Sequence, residues 1–242
     1  MKNSLLLTLD TDWADDIALE YCMEILLKNN IKSTWFITNS SSLIEKLLER
    51  PDLYEVGIHP NFFFGSDHGN SIDEVFEYFQ DITPNARSMR SHGLFQYSNL
   101  LFKASQKYNI EIDSSIFLPY CSNIDVHSFN NLYRAPIFFM DSYYLKSEKN
   151  NNFKFKQIKN INSVGIKIFD FHPIHIYMNS YNMNYYESLK SYNSNSKKLE
   201  KNRNKTKMGI GDLFLSTINN IIENDIQTFT LSEYINKNIV KI

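Results

Sequence analysis

The chain has 242 residues, enough for one substantial hydrophobic core, and α/β barrels of this length are commonly single domains. Its 25 basic and 27 acidic residues leave a formal net charge of -2, which excludes the strongly basic balance of a bulk nucleic-acid binder. No apolar stretch approaches membrane-spanning length, and the run Leu5 to Leu9 is too short for the apolar region of a signal peptide, so a cytoplasmic protein is expected.

Leu5-Leu6-Leu7-Thr8-Leu9 is an apolar run of strand length that ends in Asp10-Thr11-Asp12-Trp13. In α/β proteins ligands gather beyond the carboxyl ends of parallel strands. Side chains alternate along extended chain, so Asp10 and Asp12 leave on one face. Two acids there suit a division of labour, one moving a proton and one holding a metal. The competing use is helix capping, for which Asp15, before the periodic Ile17, Tyr21, Ile25 and Leu26, is better placed.

Asn29-Asn30 ends that helix, and Ser33 to Thr38 reads as a buried strand. A short helix follows over about 41–48, then a strand from Tyr54 to Ile58 ending in His59-Pro60-Asn61. Ser71 and Glu74 form a capping box for a helix to about Gln80. Arg87-Ser88-Met89-Arg90-Ser91-His92-Gly93 reads as the next strand and its mouth. A helix over about 98–108 leads to Ile110-Glu111-Ile112 and then Asp113-Ser114-Ser115. Leu132 to Asp141 is another strand, whose Pro136 suggests an edge or a bulge. Gly165 to His172 is the clearest late strand, and it ends in His172-Pro173-Ile174-His175.

From 179 to about 209 the chain turns polar and loses periodicity, which predicts a long loop or partly helical lid. Its basic cluster, Lys197, Lys198, Lys201, Arg203, Lys205 and Lys207, is by default a solvated surface; an anionic ligand is the alternative. A helix over 212–223, a strand at 227–230 and a short helix from Ser232 close the chain. Cys22 and Cys121 carry no motif and are expected as buried thiols in a reducing compartment.

Strand and helix alternate seven or eight times, which argues for a parallel α/β architecture with a barrel as its natural closure. Polar residues punctuate successive strand ends: Asp10 and Asp12, His59, Arg90 and His92, Asp113, Asp141, and His172 with His175. Chance does not favour strand ends for histidines, so the pattern points to an enzyme.

Leu-Thr-Leu-Asp10-Thr-Asp12-Trp13, Ser-Thr-Trp-Phe-Ile-Thr, Val-Gly-Ile-His59-Pro-Asn, Arg90-Ser-His92-Gly and Phe-Asp-Phe-His172-Pro resemble, in order, the motifs of the polysaccharide deacetylases with a NodB-homology domain, the carbohydrate esterase family 4 type. The likeness is nearest to members found with surface-glycan biosynthesis genes. It implies a deformed (β/α) barrel of seven or eight strands and metal-dependent removal of an N-acetyl group from a sugar, whether free or carried on a nucleotide or lipid. By that pattern Asp10 is the general base, Arg90 orients it, Asp12 and His59 bind a divalent ion, zinc foremost, and His172 is the general acid.

The chemistry fits: an amide carbonyl is a poor electrophile and needs a Lewis acid and an activated water. The family's second histidine, four residues after the first, is replaced here by Phe63, and His68 is the nearest substitute as third ligand. His175 is the alternative acid. Asp170 or Asp141 could tune His172, and His92, Asn61 and Asp141 are candidate substrate-binding residues. The alternatives are a metal-independent hydrolase of C–N or glycosidic bonds on the same barrel, and a non-catalytic glycan-binding relic.

Overall fold

The computed structural model describes residues 4–147, 152–193 and 195–239. Strand β1 (Ser4–Asp10) pairs in parallel with β2 (Ser33–Ile37) on one side and β9 (Ile166–Phe171) on the other. Outward from β2 come β3 (Tyr54–Ile58), β4 (Ser88–Met89), β5 (Ile112–Asp113), β7 (Leu132–Arg134) and β6 (His127–Phe129), and outward from β9 comes β8 (Ile137–Met140). Among the described residues every neighbouring pair in the sheet is parallel except the β6–β7 hairpin. β1, β2 and β9 are covered on both faces, which is why they read as near-continuous apolar runs.

The predicted strand over 132–141 is two strands. Pro136 interrupts it, so β7 stays beside β5 while β8, two residues on, pairs with β9 at the opposite edge of the sheet. A register shift between Ile137 and Phe139 accompanies the break. One short run of chain therefore links both ends of the curled sheet, and this is the deformation of the barrel. The sheet reaches nine strands among the described residues because of the short β6, which carries no apolar signal.

Helices α1 (Asp16–Lys28), α2 (Ser42–Leu48), α3 (Ile72–Ile82) and α4 (Ser98–Gln106) follow the first four strands. The Asp15 carboxylate accepts from the Ile17 N–H at 3.1 Å, and Ser71 Oγ accepts from the Glu74 N–H at 3.2 Å. Beyond β8 lie α5 (Asp141–Ser147), α6 (Pro173–Met178), α7 (Met183–Leu189), α8 (Ser196–Asn202), α9 (Ile210–Glu223) and α10 (Leu231–Asn238). Residues 227–230 form no strand. They meet side chains instead: Thr228 Oγ1 accepts from the Lys32 N–H, and Thr230 caps α10 in a box with Glu233.

The polar stretch over 179–209 is partly helical and is pinned down. Leu199 is fully buried in a small cluster with Ala18, Ile174, Tyr177 and Met178. Half of its basic cluster lies over rings, Arg203 over Tyr21 and Tyr177, Lys198 over Tyr192 and Lys207 over Tyr181, while Lys198 and Lys207 stay exposed to solvent. Cys22 is buried as expected, but Cys121, in the turn after Tyr120, is exposed.

Gly57 in β3 shows how tightly the strand mouths are packed. A Cβ there would lie 2.6 Å from Ser88 Oγ, 2.8 Å from Ser88 O and 2.9 Å from Phe36 Cδ1. Two of those neighbours belong to β4, which leads straight to Arg90. Gly57→Ala is expected to destabilise the protein by about 1–3 kcal/mol, read as a lower urea midpoint; an unchanged midpoint would show that β4 yields freely.

Candidate active site

The end of β1 departs from extended geometry at the two residues that matter. Asp12 and Trp13 have φ of 41° and 53°, a region that costs a residue with a side chain of order 1–3 kcal/mol. Hydrogen bonds hold the turn: the Asp12 N–H donates to Thr38 Oγ1 at 2.9 Å, and the Thr38 N–H donates to Thr11 Oγ1 at 2.9 Å. Asp10 and Asp12 thus meet different partners in one cleft of about 490 Å³ above the strand ends.

Asp10 is buried and faces Arg90. The guanidinium, fully buried, donates from Nη1 to Asp10 Oδ1 at 2.8 Å, from Nε to Ser114 O at 3.1 Å and from Nη2 to Ser114 Oγ at 2.9 Å. It also lies over the Phe36 ring, 4.5 Å from the centroid. Asp170 Oδ1 stands 3.0 Å from the same Nη1. Burial, and after it the charge of Asp10, raise the Asp170 carboxyl to about 7. That residue lines the cleft.

Asp12 sits among three imidazoles. Its Oδ1 is 3.0 Å from His59 Nε2 and 3.0 Å from His92 Nδ1, these nitrogens are 3.2 Å from each other, and Oδ2 is 3.4 Å from His172 Nε2. Burial works against its charge, but hydrogen bonds from His172, His59 and His92 hold its carboxyl well below the ordinary range. For His59 burial opposes protonation, while the charge of Asp10, with Oδ2 at 3.6 Å from Nδ1, and of Asp12 raise its pKa.

One carboxylate oxygen and two imidazole nitrogens mutually 3.0–3.2 Å apart form a donor set for a divalent ion. Ligand atoms on a tetrahedral ion at about 2.0–2.2 Å lie roughly 3.3 Å apart. His59 Nδ1, which has no hydrogen-bond partner, faces Asp10 as the outer nitrogen of a ligating imidazole commonly faces a carboxylate. The residues present therefore fit such an ion.

On the other side of the cleft, His172 begins the turn into α6. Its Nδ1–H donates to Asp141 Oδ1 at 2.6 Å and its backbone N–H donates to Asp141 Oδ2 at 2.7 Å. Burial disfavours the imidazolium, yet the charges of Asp141 and Asp170 and the contact with Asp12 raise its pKa well above the usual 6.5. His175, one helical turn on, packs its ring against Tyr186 at 4.3 Å and meets Ser180 Oγ at 3.3 Å. Burial lowers it to about 4, leaving it neutral.

The structure therefore brings together Asp10, Asp12, His59, Arg90, His92 and His172. It does not bring His68, whose Nδ1 accepts from the Asn61 N–H at 3.0 Å in the loop before α3. Asn61 spends its side chain on the Phe63 N–H and does not line the cleft. Asp141, fully buried, faces His172 rather than a ligand. Sequence reasoning left unassigned the supports behind Arg90 and Ser91. The Ser91 N–H donates to Ser115 Oγ, which donates to Asp113, itself paired with Arg134 Nε at 2.6 Å; Arg134 also reaches Gln96. Asp113-Ser114-Ser115 at a strand end was the available signal. Ser142 and Lys146 of α5 and Tyr186, Glu187 and Lys190 complete the cleft wall.

The family model described as WbmS-like polysaccharide deacetylase matches residues 7–190. No curated protein sequence matches the chain. Among solved structures, a Bordetella bronchiseptica protein assigned as a polysaccharide deacetylase involved in O-antigen biosynthesis is 28% identical over 89% of this chain and 90% of its own, with a TM-score of 0.76. A family 4 acetyl xylan esterase from Clostridium thermocellum, in complex with a cobalt ion, shares the fold at a TM-score of 0.51 and 14% identity, over 99% of this chain and 93% of its own.

Proposed function

The chain belongs to the WbmS-like polysaccharide deacetylase family, and from that premise we propose that it is a metal-dependent hydrolase that removes an N-acetyl group from a sugar intermediate of surface glycan biosynthesis. One observation carries the reading. The Asp12, His59 and His92 donor atoms converge between a carboxylate–guanidinium pair, Asp10 with Arg90, and a histidine–carboxylate pair, His172 with Asp141.

In this reading Asp12, His59 and His92 hold the ion, zinc foremost, with His92 in place of His68. When bound, the ion supplies Lewis acidity that polarises the amide carbonyl and eases removal of a proton from water. Asp10, kept in place by the fixed guanidinium of Arg90, accepts that proton. His172, charged through its pairing with Asp141, donates a proton to the leaving nitrogen, so the sugar departs as an amine and the acyl group as acetate. His175, neutral and packed behind, backs the His172 ring, 5.6 Å away. The sugar, free or linked to a nucleotide or lipid, enters past Lys146 and Lys190, whose charge suits a diphosphate. No helix among the described residues is long and apolar enough to cross a membrane, and the free thiols of Cys22 and Cys121 support a reducing, cytoplasmic setting.

The test is metal content together with acetate release. Stoichiometric zinc, cobalt or nickel, and activity that disappears with chelation and returns on reloading, support the reading; full activity in metal-free protein overturns it.

Asp141→Asn separates the roles of the two histidines. The Asp141 carboxylate raises the pKa of His172, and an acid must be protonated to donate. Without that charge the pKa falls, so the alkaline limb of the kcat/KM profile should move to lower pH. The loss should be roughly tenfold or more on the alkaline side and smaller on the acid side. An unmoved alkaline limb would remove His172 as the donor.

A further inference from the structure

The third member of the metal cluster comes from the loop after β4, and its ring is steadied in an unusual way. His92 is the most exposed of the three, with 30% of its side chain accessible. Among the described residues, both polar contacts of its ring run through Nδ1, to Asp12 and His59. The orientation a ligating imidazole usually gets from a hydrogen bond on its outer nitrogen has to come from elsewhere. Besides its fellow cluster member His59, 5.3 Å away at 86°, two rings meet it edge to face: Trp13, centroids 5.1 Å apart at 81°, and Phe63, 6.4 Å apart at 90°.

Each of those rings has packing partners of its own, although Phe63 is 46% exposed. Trp13 donates from Nε1 to Asp67 Oδ2 at 3.2 Å and stacks on His68 at 5.7 Å. His68 is sandwiched, with Tyr78 on its other side at 4.8 Å, and is tied to the Asn61 N–H through Nδ1. Phe63 packs on Phe95 at 5.4 Å and over Gly93, where a Cβ would come within 2.8 Å of its ring. Gly93, at φ +63°, lets the chain turn beneath Phe63 directly after His92.

We propose that Trp13 and Phe63 form an aromatic clamp that seats His92 as a metal ligand, and that His68 is the positioning residue that holds Trp13 in the clamp. The proposal rests on the metal-dependent reading above. It assigns His68, which the loop brings close without letting it reach the cluster, a role through its ring rather than through its nitrogens.

The experiment titrates Zn²⁺ and Co²⁺ into the metal-free full chain against a competing chelator, for wild type, Trp13→Ala, Phe63→Ala, His68→Ala and His68→Phe. Trp13→Ala and His68→Ala should weaken binding roughly tenfold or more. Phe63→Ala should act in the same direction, and His68→Phe, which keeps a flat ring in the stack, should bind as wild type does. Thermal melts of the metal-free forms identify any variant that fails to fold; if His68→Ala is one, the contrast of Phe63→Ala with His68→Phe decides. Wild-type affinity in both Trp13→Ala and Phe63→Ala overturns the clamp, as does loss of metal in a folded His68→Phe, which would make His68 a ligand by its nitrogen. A wild-type chain that binds neither ion overturns the metal reading and the clamp together, whereas a metal-binding wild type with unaffected variants overturns the clamp alone.

Discussion

His59→Ala is expected to leave the protein without bound metal and to lower kcat/KM by roughly a thousandfold, the equivalent of about 4 kcal/mol. His59 is enclosed by the two acids of the first strand's mouth, Nε2 at 3.0 Å from Asp12 Oδ1 and Nδ1 at 3.6 Å from Asp10 Oδ2. Removing it takes away one of three converging donors and also the group between the two carboxylates. Metal analysis and acetate release on the same preparation read both effects, with a melt of the metal-free variant to show that it folds. If His59→Ala kept its metal and its rate, the cluster of Asp12, His59 and His92 could not be the catalytic metal centre.

Arg90→Met should be the most damaging substitution to stability. The guanidinium is fully buried and serves Asp10, Asp170 and Ser114 at once, and loss of one partner of a buried ion pair costs about 3–5 kcal/mol. For a chain of this size that corresponds to a Tm lower by roughly 6–20 °C. Arg90→Lys should rescue only part of it, since a single ammonium cannot fill the planar three-way arrangement. The pH dependence has a definite sign. Asp170 is raised from an unfolded value near 3.8 to about 7, so ionising it opposes folding. Wild-type stability contributed through Asp170 is therefore highest below pH 4 and declines as pH rises toward 7. Without Arg90 that decline should steepen. Melts of both proteins between pH 5 and 8 check this, and a gap between them that narrows with rising pH would contradict it.

The architecture was legible because the strands that carry it are buried on both faces and read as apolar runs, and because helices between them announce their starts with Asp15 and Ser71. The candidate site was legible for a related reason: the strand-end positions of Asp10, Asp12, His59, Arg90, His92 and His172 follow from the alternation of strand and helix. Cross-strand register was not legible. Asp141 could be named only as an alternative to Asp170 for tuning His172, because their meeting depends on β8 lying beside β9, which the uninterrupted reading of 132–141 did not give. The choice between His68 and His92 was equally closed to inspection. His68 lies nearer to His59 in the chain, but the loop spends it on a stack with Trp13 and Tyr78, while His92 arrives from the neighbouring strand. Residues 227–230 show the converse: β-branched and aromatic composition suggested a strand, whereas Thr228 receives the Lys32 N–H and Thr230 caps α10.

The bridge across the sheet's seam has a mechanical consequence. Arg134 closes β7 and anchors Asp113, whose partner Ser115 holds the backbone of Ser91 beside His92; Asp141 follows β8 and grips His172. The six residues of backbone between Arg134 and Asp141 thus act as a caliper, one jaw on the side of the proposed metal ligands and the other on the side of the proposed proton donor. Covalent length, with the Ala135 and Ile137 N–H groups donating to Asp113 O and Ile116 O, sets the gap between the jaws, so lengthening that span by even one residue would spread them apart while leaving the rest of the sheet its own pairing.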